Sequence, residues 1–147
     1  MKKRLFIDMD GVLCDYKKHH AEKLREFPHM PFPQSQYGFF MELEPIANSI
    51  ATVKALMVHF DVWILTAPSW KNPMCLAEKN YWIQKHFGHD MAQYMITCND
   101  KSLVKGHFLV DDGIHRGQEN FEGELLLFGS EKYPDWDFVF EYLMKKI

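Results

Sequence analysis

The sequence predicts an α/β fold built on a central parallel sheet flanked by helices, and three observations predict it. Short apolar runs recur at Leu5 to Ile7, Val62 to Leu65, Tyr94 to Thr97, Phe108 to Val110 and Leu125 to Phe128. Stretches with apolar residues at helical spacing lie between several of them. Several of the runs also end in a polar side chain, at Asp8, Thr66 and Asp111. Strands that read as continuous apolar runs are buried on both faces, and their alternation with helices is the pattern of a parallel sheet.

Taken in order, Leu5 to Ile7 forms the first strand and runs into the stretch DMDGVLCD, Asp8 to Asp15. Tyr16 to Phe27 reads as a helix, with Asp15 at its start, where a carboxylate suits the partial positive charge of a helix N-terminus. Pro28, Pro31 and Pro33 follow, then the aromatic stretch Tyr37-Gly38-Phe39-Phe40 and Glu44-Pro45. A simple crossover between strands needs no such segment, so residues 16–45 are expected to form a small helical cap inserted after the first strand. The core of this single domain is then 1–15 and 46–147. Ala47 to Phe60 carries Ile50, Val53, Leu56, Met57 and Phe60 at helical spacing, and Pro73 to Phe87 carries Leu76, Tyr81, Trp82 and Ile83 with Gly88 as its stop. Asp135 to Ile147 closes the chain as a helix, started by Pro134 and Asp135 and ending in lysines.

Composition narrows the function classes. A 147-residue chain is of single-domain size and buries about 68–70% of its unfolded surface. Lys and Arg total 17 against 20 Asp and Glu, and the net charge of −3 offers no global attraction for polymeric nucleic acid or an anionic membrane. Cys14, Cys75 and Cys98 are widely spaced and odd in number, which argues against a disulfide framework or a structural zinc site. The first apolar run meets Asp8 too soon for a signal segment, and nowhere do about 18 apolar residues succeed one another. The chain therefore reads as cytoplasmic and mature as written.

The chemistry concentrates at the strand ends. Side chains alternate along an extended backbone, so Asp8 and Asp10 fall on one side with Met9 on the other. Gly11 lets the backbone turn away sharply, and ligands of open parallel sheets bind beyond the carboxyl ends of the strands. Two close carboxylates repel each other unless a hard cation such as Mg²⁺ makes them ligands. A lone Asp-x-Asp after a strand is as readily a solvated turn. Here a second strand ends in Asp111-Asp112, a third in Thr66, and Lys101 follows a fourth. Four polar endings on four apolar strands converge at one rim of a parallel sheet.

DMDGVLCD, Thr66, Lys101 and Asp111-Asp112 resemble, in order, the four signatures of the haloacid dehalogenase-like phosphohydrolases, whose fold is Rossmann-like. FFMELEP at Phe39 to Pro45, ILTAPS at Ile64 to Ser69, EKNYW at Glu78 to Trp82 and TCNDK at Thr97 to Lys101 are similar to the 5'(3')-deoxyribonucleotidase branch. The resemblance implies a Mg²⁺-dependent phosphatase. In it, Asp8 is the nucleophile that forms an aspartyl-phosphate, and Asp10 protonates the leaving oxygen and then activates water. Mg²⁺ is held by Asp8, the backbone carbonyl of Asp10 and one carboxylate of the Asp111-Asp112 pair, Asp112 being the preferred direct ligand with Asp111 on a metal-bound water or on Lys101, although the sequence alone does not decide between the two. Thr66 and Lys101 hold the phosphoryl oxygens. Tyr16, Phe39 and Phe40 are candidates for a wall against the nucleobase, although Phe39 and Phe40 equally suit packing of the cap onto the core. Lys79 matches a phosphate- or substrate-facing lysine. Ala67 stands where the branch usually has a serine that contacts phosphate, and the cap is shorter than usual.

The expected partner is a small phosphorylated substrate, most simply a nucleotide, and a homodimer is admissible. Competing readings are a sugar phosphate or other small ester as substrate, a phosphotransferase or mutase using the same intermediate, and a non-catalytic metal or nucleotide-binding module. His19-His20 is expected to face solvent, and the chain beyond Gly113 to carry no functional motif; Arg116, soon after Asp112, is within reach of a substrate but is expected to begin a surface helix.

Overall fold

The computed structural model describes residues 1–147. Five parallel strands form one sheet in the order β3-β2-β1-β4-β5. They are β1 (Arg4–Ile7), β2 (Asp61–Thr66), β3 (Met95–Thr97), β4 (Phe108–Asp111) and β5 (Glu124–Leu127). Four α-helices accompany them: α1 (Tyr16–Glu26), α2 (Ser49–His59), α3 (Cys75–Phe87) and α4 (Trp136–Met144). The expected elements are present, with ends displaced by at most three residues.

Chain direction explains where the site must lie. From β1 the chain moves outward through β2 to β3, then crosses back to place β4 on the other side of β1 and β5 beyond it. The order of travel reverses between β1 and β4, and a crevice opens beyond the carboxyl ends of the strands at such a reversal. The register pairs Ile7 with Val110, so Asp8 and Asp111 both follow directly from paired positions.

The two faces of the sheet are covered unequally. Leu5, Ile7, Ile64, Phe108 and Val110 belong to one large apolar cluster with Val53 and Leu56 of α2, Trp82 and Ile83 of α3, and Trp136, Val139 and Leu143 of α4. Phe6, Leu65 and Leu109 alternate to the opposite face and pack with Phe121. No α-helical residue is in that second cluster. The links from β3 to β4 and from β4 to β5 contain only short 3₁₀ turns, Lys101–Leu103 and Gln118–Asn120, where α-helices would ordinarily cross. These thin links place their own backbone close to the rim.

Local chemistry fixes the helix ends. The Asp15 carboxylate accepts the Lys18 amide and so caps α1, and Asp135 accepts the amides of Asp137 and Phe138 to cap α4. The chain leaves the core after Asp15 and returns at Ile46 to the same place. The Asp15 amide donates to the Glu44 carbonyl at 2.8 Å, and the Ile46 amide to the Leu13 carbonyl at 2.8 Å. The excursion is anchored inward as well. Phe39, Phe40 and Leu43 join the large apolar cluster, and the Trp82 indole donates to the Leu43 carbonyl at 2.7 Å.

His19 and His20 depart from expectation. Both are half-buried, because they sit against an aromatic group rather than facing solvent: His20 stacks on Tyr16 one turn earlier, and His19 lies 4.7 Å from the Phe39 ring. Burial and nearby Lys23 together hold the His19 ring below the usual histidine pKa.

Trp136 is fully buried and donates through its indole to the Val12 carbonyl at 2.9 Å, joining α4 to the loop after β1. Trp136→Phe keeps most of the apolar volume but strands that carbonyl, so urea denaturation should show a loss of about 1–3 kcal/mol. An unchanged midpoint would show that the bond contributes nothing.

Candidate active site

The rim where β1, β2 and β4 end gathers four carboxylates and two lysines. Asp8 extends β1 in line, its amide bonded to the Val110 carbonyl at 2.9 Å. Lys101, from the 3₁₀ turn before β4, is almost completely buried and inserts its ammonium between two acids. It donates to Asp8 at 2.7 Å and to Asp111 at 2.5 Å. Asp111, at 1% exposure, spends both oxygens within the protein. One accepts Lys101, and the other accepts the Gly113 amide at 2.9 Å and the Gln118 amide side chain at 3.1 Å. Asp112 is open to solvent. One oxygen each from Asp8, Asp111 and Asp112 lies within 4.8 Å of the others, a spacing at which hard oxygen donors can share a divalent cation.

The second lysine serves the other acid. Lys79 on α3 has no exposed surface, and its three donors are satisfied by Asp10 at 3.0 Å, the Thr66 hydroxyl at 2.7 Å and the Ala67 carbonyl at 2.8 Å. The sequence suggested that Lys79 faces substrate. As folded it faces Asp10 instead, because α3 starts only eight residues after Ala67 and runs back over the end of β2. Its neighbour Glu78 points the other way and is also buried. It accepts the amides of Gly38 at 2.6 Å and Phe40 at 3.3 Å, and the Asn72 side chain at 3.1 Å. Consecutive residues of one helix thus hold the acid Asp10 and the inserted segment.

Crowding shifts these groups. Burial pushes the Asp8 carboxyl up to about 8, against the pull of Lys101 and with Asp111 and Asp10 adding to the rise. Desolvation and then Asp111 raise Asp112. Burial alone would lower both lysines, but Asp10 beside Lys79, and Asp8 and Asp111 beside Lys101, outweigh it and raise them. Cys14 lies 3.5 Å from Asp10, and burial followed by that carboxylate's charge pushes its thiol well up, leaving it a weak nucleophile.

A family model described as "5' nucleotidase, deoxy (Pyrimidine), cytosolic type C protein" matches residues 31–135. The chain belongs to this family. A protein of Vibrio phage KVP40 is 31% identical over 95% of this chain and 83% of its own length. The human protein named 5'(3')-deoxyribonucleotidase, cytosolic type, is 31% identical over 92% of the chain and 78% of its own, and its mitochondrial counterpart is 30% identical over 92% and 68%. A haloacid dehalogenase-like hydrolase of Streptococcus pneumoniae superposes with a TM-score of 0.61 at 12% identity, covering 96% of this chain and 90% of that one, which supports the fold. This nucleotidase-family chain is accordingly a phosphoric monoester hydrolase of haloacid dehalogenase-like fold.

Within this nucleotidase the aromatic candidates divide. Phe39 and Phe40 are 3% and 1% exposed and pack edge-to-face at 5.0 Å, so they seal the core and offer no face to a base. Tyr16 stays half-exposed, stacked against Phe40 at 6.1 Å. Burial, with Asp10 and Cys75 adding to it, pushes its hydroxyl up to about 12. Ala67 lines the cleft, and its carbonyl anchors Lys79.

The chain after Gly113 contributes more than the sequence suggested. Gln118 is buried and bridges Asp111 to the Arg116 amide, and His115 and Arg116 line the cleft in a loop, with no helix beginning at Arg116. A lone glutamine in a polar stretch carries no periodic signal that marks it as internal.

Gly11 has φ +80°, and a Cβ there would stand 2.1 Å from an Asp112 oxygen. Gly11→Ala should therefore cost roughly 1–2 kcal/mol of stability from the left-handed backbone. By displacing Asp112 it should also lower phosphatase kcat/KM by about 100-fold. Stability loss with full activity would show that the position of Asp112 is not needed.

Proposed function

We propose that the protein is a Mg²⁺-dependent 5'(3')-deoxyribonucleotidase that hydrolyses nucleoside monophosphates through an aspartyl-phosphate on Asp8. The observation that carries this reading is the Lys101 ammonium held between Asp8 and Asp111 while Asp112 stays free. The names of the relatives supply the substrate class.

The donor set suits a hard divalent cation: all oxygens, clustered, and in net negative surplus over the lysines that pair with them. Asp8, Asp112 and the Asp10 backbone carbonyl would hold Mg²⁺ directly. Asp111 has its oxygens committed and would act through Lys101 or a bound water. When bound, the cation withdraws charge from the phosphoryl group and keeps Asp8 ionised.

The chain's own groups perform the steps. An Asp8 oxygen attacks phosphorus, the ester bond to the leaving alcohol breaks, and Asp10 delivers a proton to the departing oxygen. Asp10 then takes a proton from water, which attacks the same phosphorus, and the bond to Asp8 breaks to release phosphate. Lys79 fixes Asp10 in place through both steps. The Thr66 hydroxyl receives Lys79 at its oxygen, which leaves its proton free for a phosphoryl oxygen. Lys101 offsets the charge gathered on Asp8 and the phosphoryl group.

Residues 16–45 act in this reading as the cap. With Phe39 and Phe40 turned inward, Tyr16 is the one of the three candidate aromatic groups left to meet a base. A cytoplasmic setting and free thiols agree with three unpaired cysteines, two of them buried. No helix is long and apolar enough to cross a membrane.

Phosphate release from deoxy- and ribonucleoside 5'- and 3'-monophosphates and from sugar phosphates should be best with deoxynucleotides and should stop with EDTA or Asp8→Asn. Activity that survives either treatment rules the mechanism out, whereas sugar phosphates outperforming nucleotides would overturn the substrate alone.

Asp8 is raised to about 8 without a cation but must be ionised to bind one. Mg²⁺ binding at pH 7 should therefore release protons, and affinity should rise as pH rises toward 8. The sign follows from the same shift: a carboxyl raised above its ordinary 3.8 costs the metal-free fold stability as pH climbs through that window. Calorimetry in buffers of different ionisation enthalpy reads the proton count directly. Proton uptake, or affinity falling between pH 6 and 8, would contradict it.

A further inference from the structure

Beyond the residues that carry the chemistry, one cation on the cleft is paired with no carboxylate. We propose that Arg116 is a substrate-binding residue that engages the outward-facing oxygens of the phosphate-monoester dianion. The proposal rests on the phosphatase reading above and adds a residue to it.

Arg116 is placed by its backbone, independently of its side chain. Its carbonyl accepts the Lys101 amide at 2.7 Å, and its amide donates to the Gln118 side chain at 2.6 Å. That same side chain donates to Asp111 at 3.1 Å. Gly117 follows at φ +80°, with so little room that a Cβ would stand 2.0 Å from an Asp100 oxygen. The loop is thereby stitched to the two residues, Lys101 and Asp111, that organise the Asp8 side of the site. Such anchoring positions a side chain that is itself to meet a ligand.

The guanidinium, in contrast, is barely engaged. Arg116 is exposed, and its one side-chain partner is the Asn99 amide oxygen at 3.3 Å. A guanidinium has five donors in a planar fork that matches two phosphoryl oxygens at once. It lines the same cleft of about 230 Å³ as Asp8, Thr66 and Lys101.

Charge supplies the need for it. Asp8, Asp10, Asp111 and Asp112 face the cleft, and Lys79 and Lys101 are consumed by three of them. One divalent cation brings the assembly to neutrality, so an arriving dianion meets no surplus positive charge from those groups. Lys17 on α1 acts weakly on Asp112 but does not line the cleft. Arg116 is the lining residue with a permanent charge left to give, and His115 beside it is exposed.

The test measures inorganic phosphate binding to the Mg²⁺-loaded full chain by calorimetry, and monoester turnover, for wild type, Arg116→Gln, Arg116→Lys and Lys17→Gln. A charge-assisted pair of this kind predicts about 10- to 100-fold weaker phosphate binding for Arg116→Gln. KM should rise by a similar factor, with kcat within about threefold, as for an interaction made equally in ground and transition states. Arg116→Lys should recover part of the affinity, Lys17→Gln should bind as wild type, and the melting temperature of Arg116→Gln should not change. Wild-type phosphate affinity in Arg116→Gln, or the loss appearing in Lys17→Gln instead, overturns the proposal. A wild-type protein that binds phosphate through Arg116 yet hydrolyses no monoester would instead overturn the phosphatase reading and leave this one standing.

Discussion

Everything at the rim depends on one buried ammonium. Adjacent parallel strands β1 and β4 both end in carboxylates, and strand spacing brings Asp8 and Asp111 to within reach of a single cation. Left alone, two such acids in a poorly solvated place would not both ionise. Lys101 meets both, and its own burial is tolerable only because it does. Removing the ammonium leaves two buried acids without a counter-charge. The three residues are therefore one unit, and the 3₁₀ turn that carries Lys101 is fixed by the site as much as it fixes it.

Around that unit the fold distributes its remaining charges by element. β2 supplies Thr66, and α3 returns over the end of β2 with Lys79 aimed at Asp10 and Glu78 aimed at the backbone of Gly38 and Phe40. One turn of helix thus couples the acid to the inserted segment that covers the core. The second face of the sheet lacks long helices, and this economy has a use. The short links after β3 and β4 lie flat enough to bring Lys101, Asn99, Arg116 and Gln118 to the same rim. Membership of the deoxynucleotidase family fits this arrangement of strand-end acids around paired lysines.

Much of this was legible from residue order alone. Strands buried on both faces announce themselves as Leu5-Phe6-Ile7 or Phe108-Leu109-Val110, and a carboxylate or hydroxyl directly after such a run has nowhere to be except the sheet edge. Asp8, Thr66 and Asp111 stand at the ends of β1, β2 and β4 for that reason. What was not legible depends on how loops close. Lys79 read as a phosphate- or substrate-facing lysine, and only the return of α3 over β2 shows that Asp10 is its partner. Phe39 and Phe40 could have faced a ligand or the core, and the amides of the same segment, captured by Glu78, turn them inward. Gln118 sits in a polar stretch without periodicity, so no pattern could mark it as buried, whereas the place of Arg116 soon after Asp112 already put it within reach of a substrate.

In the proposed mechanism Asp8 is the group that becomes phosphorylated. Its direct test is chemical trapping: quench the Mg²⁺-loaded enzyme during turnover of a deoxynucleoside monophosphate, reduce with borohydride, and map the peptides. An acyl phosphate on an aspartate is reduced to homoserine. The proposed mechanism predicts homoserine at position 8 and nowhere else. Homoserine at another acid, such as Asp10 or Asp112, would contradict the account.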